Sequence, residues 1–180
     1  MAVISTERLD LIPMGPDFLR ASLSGDPAAA SVAIGATLPP DWPSIPEILA
    51  MRLEQLEAVP ALEPWLLRAM VLRETRTMVG HIGFHTAPGP EYLEPWSPGA
   101  VEFGFSVLEE HRRRGYAREA AQGMMRWAVD EHGVRAFVLT ISPGNHPSQA
   151  LASGLGFHRI GEHVDEVDGI EEILELRMGS

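Results

Sequence analysis

Residues 112–118 combine four arginines, a glycine, a tyrosine and an alanine: Arg112, Arg113, Arg114, Gly115, Tyr116, Ala117 and Arg118. A glycine between a strand and a helix lets successive backbone N–H groups point into one concavity, and the helix N-terminus adds partial positive charge. Such a turn binds phosphate, and the flanking arginines suit a polyanion such as a pyrophosphate with a further phosphate nearby. By itself, this segment also fits a solvated arginine-rich turn that caps a helix.

The overall charge makes this basic segment an exception. The 180-residue chain carries 14 Lys and Arg residues, all of them arginine, against 25 Asp and Glu, which gives a formal net charge of −11. An acidic surface repels nucleic acid and anionic lipid, so we expect no nucleic-acid or membrane partner. The local cluster of arginines instead predicts one anionic ligand. The absence of lysine excludes Schiff-base chemistry.

Other residue types narrow the chemistry further. The chain has no cysteine, which excludes disulfide frameworks, thiolate zinc sites and a cysteine nucleophile. Its seven histidines show no His-Glu-x-x-His or similar spacing, so no metal site is predicted. No apolar run reaches the ~18 residues of a membrane span and the first ten residues lack a signal-peptide pattern, so we expect a cytoplasmic protein.

A strand predicted over residues 100–107 leads into the basic segment. Its alternation puts two sets of side chains on opposite faces, the apolar Val101, Phe103, Phe105 and Val107 against Glu102, Gly104 and Ser106. A glycine within a strand costs stability unless something approaches the backbone closely there. A ligand is one such thing, so the second face of this strand is a candidate binding surface.

The hydrophobic pattern predicts the elements that position these residues. Strands are expected at 6–14, 66–73, 78–85, 100–107, 135–142, 157–164 and 173–178, with a hairpin over 66–85. Helices are expected from a cap at Asp17, at 45–58, at 116–132 and within 145–155. Because a helix that joins two strands favours a parallel pair, we predict a single α/β domain over residues 1–180. Its mixed sheet is mostly antiparallel with a splayed parallel pair, and helices cover both faces.

Several segments together resemble the GNAT acetyltransferases, in particular their RimJ/RimL-like branch. The central motifs lie at 101–107 (Val-Glu-Phe-Gly-Phe-Ser-Val), Arg112-x-x-Gly115-x-Ala117, Asn145-x-x-Ser148 and 154–157 (Gly-Leu-Gly-Phe). The opening at 6–11 (Thr-Glu-Arg-Leu-Asp-Leu), the hairpin end at 79–84 and the segment 165–169 (Asp-Glu-Val-Asp-Gly) also fit that branch. The motifs are weak individually, but they cover nearly the whole chain in the family's order.

The resemblance implies an N-acetyltransferase that uses acetyl-CoA as cosubstrate and no metal. It implies that the pantetheine arm pairs with the backbone of Phe105, Ser106 and Val107, and that the pyrophosphate lies on the amides from Arg113 to Arg118. It also implies that Asn145 and Ser148 lie along the pantetheine arm. An asparagine there also fits a plain loop or helix-cap residue.

The acceptor is expected to be a small-molecule amine or a protein N-terminus. Polyamines, amino acids and aminoglycoside-like compounds all belong to the first class, because a fold does not fix its substrate. The Pro- and Gly-rich loops at 38–45 and 86–99 are the expected acceptor contacts. The sequence holds no pattern that assigns an oligomeric state.

Amide formation from an ammonium ion requires removal of a proton and hydrogen-bond donors for the developing oxyanion. Glu102 is the predicted base, because it projects from the cofactor strand on the face without bulky side chains and the family often has a glutamate there. The alternative is a surface glutamate paired with an arginine. His85 is the reserve base, with a hydrogen-bonded scaffold role as its alternative. A backbone N–H near Val107 is the expected oxyanion donor.

One position departs from the family pattern. Many members carry a tyrosine seven residues after the motif asparagine to protonate the leaving thiolate, and that position is Ala152 here. The general acid is therefore unassigned, with water as one source of the proton. The departure leaves open a CoA-binding sensor or scaffold without catalysis. A third interpretation is an unrelated phosphate-binding α/β enzyme that uses nucleotides.

Overall fold

A computed structural model describes residues 2–165 and 169–179. The strands of this part of the chain are β1 (Ile4–Ser5), β2 (Leu9–Pro13), β3 (Arg68–Leu72), β4 (Met78–Phe84), β5 (Val101–Val107), β6 (Ala136–Ile141), β7 (His158–Asp165) and β8 (Gly169–Arg177). Its α-helices are α1 (Pro16–Leu23), α2 (Pro27–Ile34), α3 (Pro46–Ala58), α4 (Tyr116–His132) and α5 (His146–Leu155). Single 3-10 turns lie at Pro60–Leu62, Glu91–Leu93 and Glu109–His111.

The described strands follow the order β1-β2-β3-β4-β5-β6-β8-β7 in one sheet. β5 and β6 pair in parallel, whereas β1–β2, β2–β3, β3–β4, β6–β8 and β7–β8 are antiparallel. This confirms the predicted fold class, a mixed and mostly antiparallel α/β sheet with one parallel pair. The chain divides into two compact units, Met1–Gly83 with Phe105–Met124 and Phe84–Gly104 with Met125–Ser180. The single domain over 1–180 stays a prediction.

The core of the first unit follows from alternation along β2. Leu9 and Leu11 are fully buried, and they lie opposite Leu72 and Met70 of β3. Helices α1 and α3 add their apolar faces to the same unit, with Phe18, Leu19, Leu49 and Leu56 in one buried cluster. The antiparallel register of Ala69 with His81 confirms the predicted hairpin of β3 and β4.

Two helix predictions in the first unit need correction. Asp17 is not the cap of α1: Gly15 holds the N-cap position, Pro16 begins the helix, and Asp17 lies in the first turn. Helix α2 was not predicted, because its residues are apolar on all sides and show no helical period. Its ends did carry a signal, since Asp26 accepts a hydrogen bond from the N–H of Ala29 and Gly35 ends the helix in the left-handed conformation.

Helix α4 has the bounds that the sequence predicts, 116–132, and Gly133 follows it with φ +67°. Its first half packs closely on the N-terminal segment of the first unit. A Cβ on Gly123 would lie 2.6 Å from the methyl group of Thr6, so glycine allows the helix to approach the segment between β1 and β2. The approach matters for function because it places the start of α4 beside residues 6–8.

The second unit has an aromatic core. Phe84 packs against Phe103, Trp127 and Phe137 with ring centroids 5.9–6.4 Å apart. β5 and β6 pair in parallel, with Val101 opposite Phe137 and Glu102 opposite Val138. Both positions lie within the buried start of β5. The loop at 86–99 is anchored to this unit, since Leu93 is 3% exposed and the buried Ser97 donates to Glu175 at 2.5 Å.

The last strand is longer than predicted, whereas β7 has the predicted length and is shifted by one residue. β8 begins at Gly169 instead of residue 173, because its pairing with β7 extends to Asp165 opposite Gly169. The acidic stretch at 162–175 is expected to be a solvated face or a cation-attracting rim. It contains ion pairs of Arg159 with Glu172 at 3.4 Å and His163 with Glu171 at 3.7 Å. Residues 166–168, part of the resemblance at 165–169, lie outside the described residues.

Candidate active site

Glu102 is enclosed by hydrogen-bond donors of the second unit. Its residue exposure is 8%, and Oε1 accepts a hydrogen bond from the Thr140 hydroxyl at 2.5 Å. Oε2 lies 3.3 Å from Nδ1 of His85, and the Tyr92 hydroxyl is a further donor. The prediction that Glu102 projects from an open strand face is therefore wrong, because Thr140, His85 and Tyr92 cover it. The surface ion pair with an arginine is also wrong, since the carboxylate is buried.

The same donors set the ionisation of Glu102. Burial alone raises the pKa of its carboxyl group, but the hydrogen bond and charge of His85 and the hydrogen bonds from Thr140 and Tyr92 outweigh burial and hold the pKa below its usual value. Glu102 is therefore a carboxylate at neutral pH. A carboxylate with a lowered pKa is a weaker base than an ordinary glutamate, which favours a supporting role for this group.

His85 follows β4 and is the accessible member of this cluster. Its side chain is 42% exposed, against 9% for that of Glu102. Because a carboxylate can only accept hydrogen bonds, Glu102 keeps the proton of a neutral imidazole on Nδ1 and leaves a lone pair on Nε2. A Cβ on Gly104 would lie 3.2 Å from that Nε2. The glycine within β5 therefore makes room for the imidazole, a side chain that alternation alone did not indicate.

Two residues of the cluster were not predicted from the sequence. Thr140 reaches Glu102 because β5 and β6 run side by side, with Glu102 registered opposite Val138. Tyr92 reaches it from the 3-10 turn at Glu91–Leu93. No short-range signal marks either residue, since both depend on contacts between distant segments. Tyr92 connects the loop at 86–99, an expected acceptor contact, to the Glu102 carboxylate.

The predicted phosphate-binding segment forms a tight turn in the first unit. Arg113 has φ +60° and Gly115 has φ +82°, so the backbone coils as a nest of amides requires. The structure shows no hydrogen bond from the backbone N–H groups of residues 113–117 to any other described residue. These amides, with the positive end of α4, can receive an anion.

The arginine side chains of this turn partly bond to their own loop. Nε of Arg112 donates to the carbonyl of Val107 at 3.0 Å, and Arg114 donates to the carbonyl of Glu110 at 3.2 Å. Arg112, Arg113 and Arg114 are all exposed. Their contact with phosphate stays a prediction. The backbone of 105–107 lies in the same unit, where Ser106 is exposed and Phe105 and Val107 are half-buried.

Asn145 and Ser148 have a local structural role in the second unit. The side chain of Asn145 is the N-cap of α5 and accepts from the N–H of Ser148 at 3.3 Å. This is the cap role that the sequence left open, and a contact with pantetheine stays a prediction. Ala152 is fully buried, so the position that carries a tyrosine in many family members packs into the core here.

Among residues 2–165 and 169–179, no helix is long and apolar enough to cross a membrane. Over the same residues, no group of three or more histidine, aspartate and glutamate side chains could hold a metal ion.

Comparisons with known proteins place this chain in a family. Residues 8–158 match the family described as the acetyltransferase (GNAT) domain. The chain is 26% identical over 172 residues to the uncharacterized N-acetyltransferase YjdG of Bacillus subtilis, covering 91% of this chain and 95% of that protein. It is also 26% identical over 176 residues to the FsC-acetyl coenzyme A-N(2)-transacetylase of Aspergillus fumigatus, covering 94% and 72%.

A solved structure extends the comparison to the fold. The ribosomal-protein-S5-alanine acetyltransferase from Vibrio fischeri matches with a TM-score of 0.67 at 14% identity, covering 98% of this chain and 97% of that chain. Such a likeness shows the fold, and it is the fold that the RimJ/RimL-like resemblance implies.

Proposed function

Because the chain belongs to the GNAT family of acetyltransferases, whose acetyl donor is acetyl-CoA, we propose that it acetylates a primary amine by direct attack of the amine on the thioester. No acyl-enzyme is formed. The observation that carries the proposal is the half-exposed His85 held against the buried, ionised Glu102. This pair supplies a base for an ammonium ion, which must lose a proton before it can attack.

The base in this proposal is Nε2 of His85. Glu102, held by Thr140 and Tyr92, fixes the imidazole tautomer and stabilises the imidazolium that forms when the proton arrives. Glu102 is the base in the sequence-based prediction. Its burial and its lowered pKa support a positioning role for Glu102 and the catalytic role for His85.

Acetyl-CoA supplies an activated acetyl group as a thioester. The amides from Arg113 to Arg118 fit its pyrophosphate, because those of 113–117 lie in a positively charged turn without a protein acceptor among the described residues. We assign the backbone of Phe105, Ser106 and Val107 to the pantetheine arm, with Asn145 and Ser148 further along it. A backbone N–H near Val107 would donate to the oxyanion.

No side chain is assigned to protonate the leaving thiolate, and water is the proposed proton source. Ala152 is fully buried and its methyl group carries no proton to donate. The missing tyrosine does not by itself favour an inactive CoA-binding module. Nothing in the structure supports that alternative.

The acceptor is proposed to be a small-molecule amine or a protein N-terminus, in the cytoplasm. Similar proteins carry names of both kinds, an N(2)-transacetylase and a ribosomal-protein alanine acetyltransferase. The net charge of −11 favours cationic acceptors, because it raises their concentration near the surface.

Thiol release from acetyl-CoA in the presence of an amine panel and N-terminal peptides tests this function. We expect turnover with at least one acceptor, and thermal stabilisation by CoA. At 100-fold excess over its Kd, CoA would stabilise by about 2.7 kcal/mol, or about 5–10 °C for a chain of this size. Binding of CoA without turnover across the panel would favour the sensor or scaffold. Stabilisation by ATP and not by CoA would reject acetyl-CoA as the cosubstrate.

Paired variants test the base. His85→Gln should lower kcat by about 100- to 10,000-fold with little change in acetyl-CoA affinity, because the proton acceptor is lost. Glu102→Gln should lower kcat less, because the proton acceptor remains and loses only the carboxylate that holds it in place. If His85→Gln keeps the parental kcat and Glu102→Gln lowers kcat by about 100-fold or more, Glu102 is the base.

A further inference from the structure

One arginine outside the basic segment contacts it at several points. Arg8 lies between β1 and β2, and its backbone N–H and its Nε each donate to the carboxylate of Glu119 at 2.7 Å. Its Nη1 donates to the carbonyl of Arg114 at 2.9 Å. A single side chain thus joins the N-terminal segment, the turn at 112–118 and the first turn of α4.

The guanidinium of Arg8 also lies against the left-handed part of this turn. Its central carbon is 4.7 Å from the centre of the Tyr116 ring, a distance at which cation and ring attract each other. A Cβ on Gly115 would be 3.4 Å from Nη2 of Arg8. Arg8 therefore borders the turn on the side where Gly115 and Tyr116 lie.

Glu119 is a fixed anchor for this arginine. Its side chain is 15% exposed and also accepts a hydrogen bond from the Thr6 hydroxyl at 2.6 Å. Burial alone raises the pKa of Glu119, but the hydrogen bonds of Thr6 and Arg8 and the charge of Arg8 outweigh burial and lower it. Glu119 is therefore ionised at neutral pH and holds both donors in one geometry.

The turn needs support from outside itself. Arg113 and Gly115 have positive φ values, and a non-glycine residue keeps such a conformation only where its surroundings enforce it. Within the described residues, the amides of 113–117 add no hydrogen bonds that would hold the turn. The bond from Arg8 to the carbonyl between Arg114 and Gly115 fixes the peptide between these residues.

We propose that Arg8 is a positioning residue for the cofactor, which holds residues 112–118 in the conformation whose amides bind the pyrophosphate. This inference rests on the proposed function. Arg8 spans Glu119 and the Arg114 carbonyl at once because a guanidinium has several donors in a rigid plane, whereas an ammonium group is a single point. A lysine at position 8 would keep the charge and lose the arrangement.

The test compares Arg8→Lys and Arg8→Gln with the parent and with Arg20→Gln. Arg20 is a matched control, because it pairs with Glu57 at 2.8 Å and is 53% exposed, close to the 45% of Arg8. Four quantities are measured: Kd for CoA, Kd for inorganic pyrophosphate, KM and kcat with acetyl-CoA, and the rate of tryptic cleavage after residues 112–114 in the free protein. Melting temperatures are recorded for every variant.

Both Arg8 variants should bind CoA and pyrophosphate about tenfold more weakly or worse, because each loses the guanidinium that bonds to Glu119 and to the Arg114 carbonyl at once. KM for acetyl-CoA should rise with kcat unchanged at saturation, and tryptic cleavage after 112–114 should be faster. Arg20→Gln should match the parent in all four measurements, at a comparable change in melting temperature.

Two results would overturn the proposal. If Arg8→Lys behaves as the parent, position 8 supplies a positive charge and the guanidinium geometry is not needed. If both variants lower the melting temperature but keep parental Kd values and cleavage rates, Arg8 is only a structural residue.

The parent protein separates this proposal from the proposed function. If the parent binds pyrophosphate but neither binds CoA nor releases thiol, only the proposed function is rejected, and the pyrophosphate and cleavage data still decide the role of Arg8. A parent that binds neither ligand would reject both.

Discussion

Gly104 determines how closely His85 can lie to the strand that carries Glu102. The 3.2 Å separation between a Cβ at this position and Nε2 of the imidazole is shorter than an ordinary contact. The backbone of Gly104 is not in the left-handed region, so no torsional constraint requires glycine here. Space for the histidine is therefore the reason for this glycine.

Gly104→Ala is a prediction at the residue scale. The added methyl group should displace the imidazole by a few tenths of an ångström or more and lower kcat, because the proposed base would lose its position relative to the amine. Steady-state kinetics give kcat, and the melting temperature should change little. Gly179→Ala is the control, since a Cβ there meets nothing within 4 Å. An unchanged kcat in Gly104→Ala would show that the position of His85 does not affect the reaction.

At the scale of elements, the turn before α4 depends on Gly115. Gly115→Val should abolish most CoA binding, because φ +82° is unfavourable for a β-branched residue and the side chain would crowd both the anion and Arg8. Calorimetry measures the Kd. The control is Gly133→Val at the other end of α4, which has a similar φ of +67° and open space around a Cβ. It should lose stability and keep CoA affinity. If Gly115→Val binds CoA with the parental Kd, the turn at 112–118 does not bind the pyrophosphate.

The N-terminus of α5 allows the two roles of Asn145 to be separated. Asn145→Ala should lower stability by about 1 kcal/mol, because the amide of Ser148 loses its side-chain acceptor. Asn145→Asp keeps a capping oxygen and should restore stability. If Asn145 contacts pantetheine through its amide group, CoA affinity should stay low in Asn145→Asp. If affinity returns together with stability, Asn145 acts only as a cap.

At the scale of the whole molecule, the stability of the fold depends on pH through titratable side chains whose pKa values the fold changes. Burial lowers the pKa of His81 in β4 to about 4, against an ordinary value of about 6.5. Between these two values the unfolded chain binds a proton that the folded chain does not, so stability is lost as pH falls through this window. The loss is about 3 kcal/mol at pH 4. The lowered pKa values of Glu102 and Glu119 add a further loss, below the ordinary glutamate pKa.

His81→Gln should therefore flatten the fall of the melting temperature between pH 6.5 and 4. For the parent, a loss of about 3 kcal/mol corresponds to about 6–12 °C. Thermal melts across this range measure the effect. His163→Gln serves as control, because that histidine is 41% exposed and lies in a surface ion pair. An equally steep fall in His81→Gln would show that other groups cause the acid sensitivity.

Local pattern predicted most of the elements and the family of this protein. The bounds of α4, the hairpin of β3 and β4, and the turn at 112–118 all depend on residues close together in the sequence, where period, glycine and charge act directly. The family motifs depend on short runs of this kind as well. The same patterns missed α2, which is apolar on all sides, and β1, which has two residues.

The roles of individual polar groups were decided by contacts between distant segments. Alternation placed Glu102 on the face without bulky neighbours, but Thr140, Tyr92 and His85 come from other segments and bury it. Arg8 reached the turn before α4 across more than 100 residues of sequence. Burial and ionisation depend on which donors surround a group in space, so only the tertiary structure could decide that Glu102 is a buried carboxylate and that Arg8 contacts the turn.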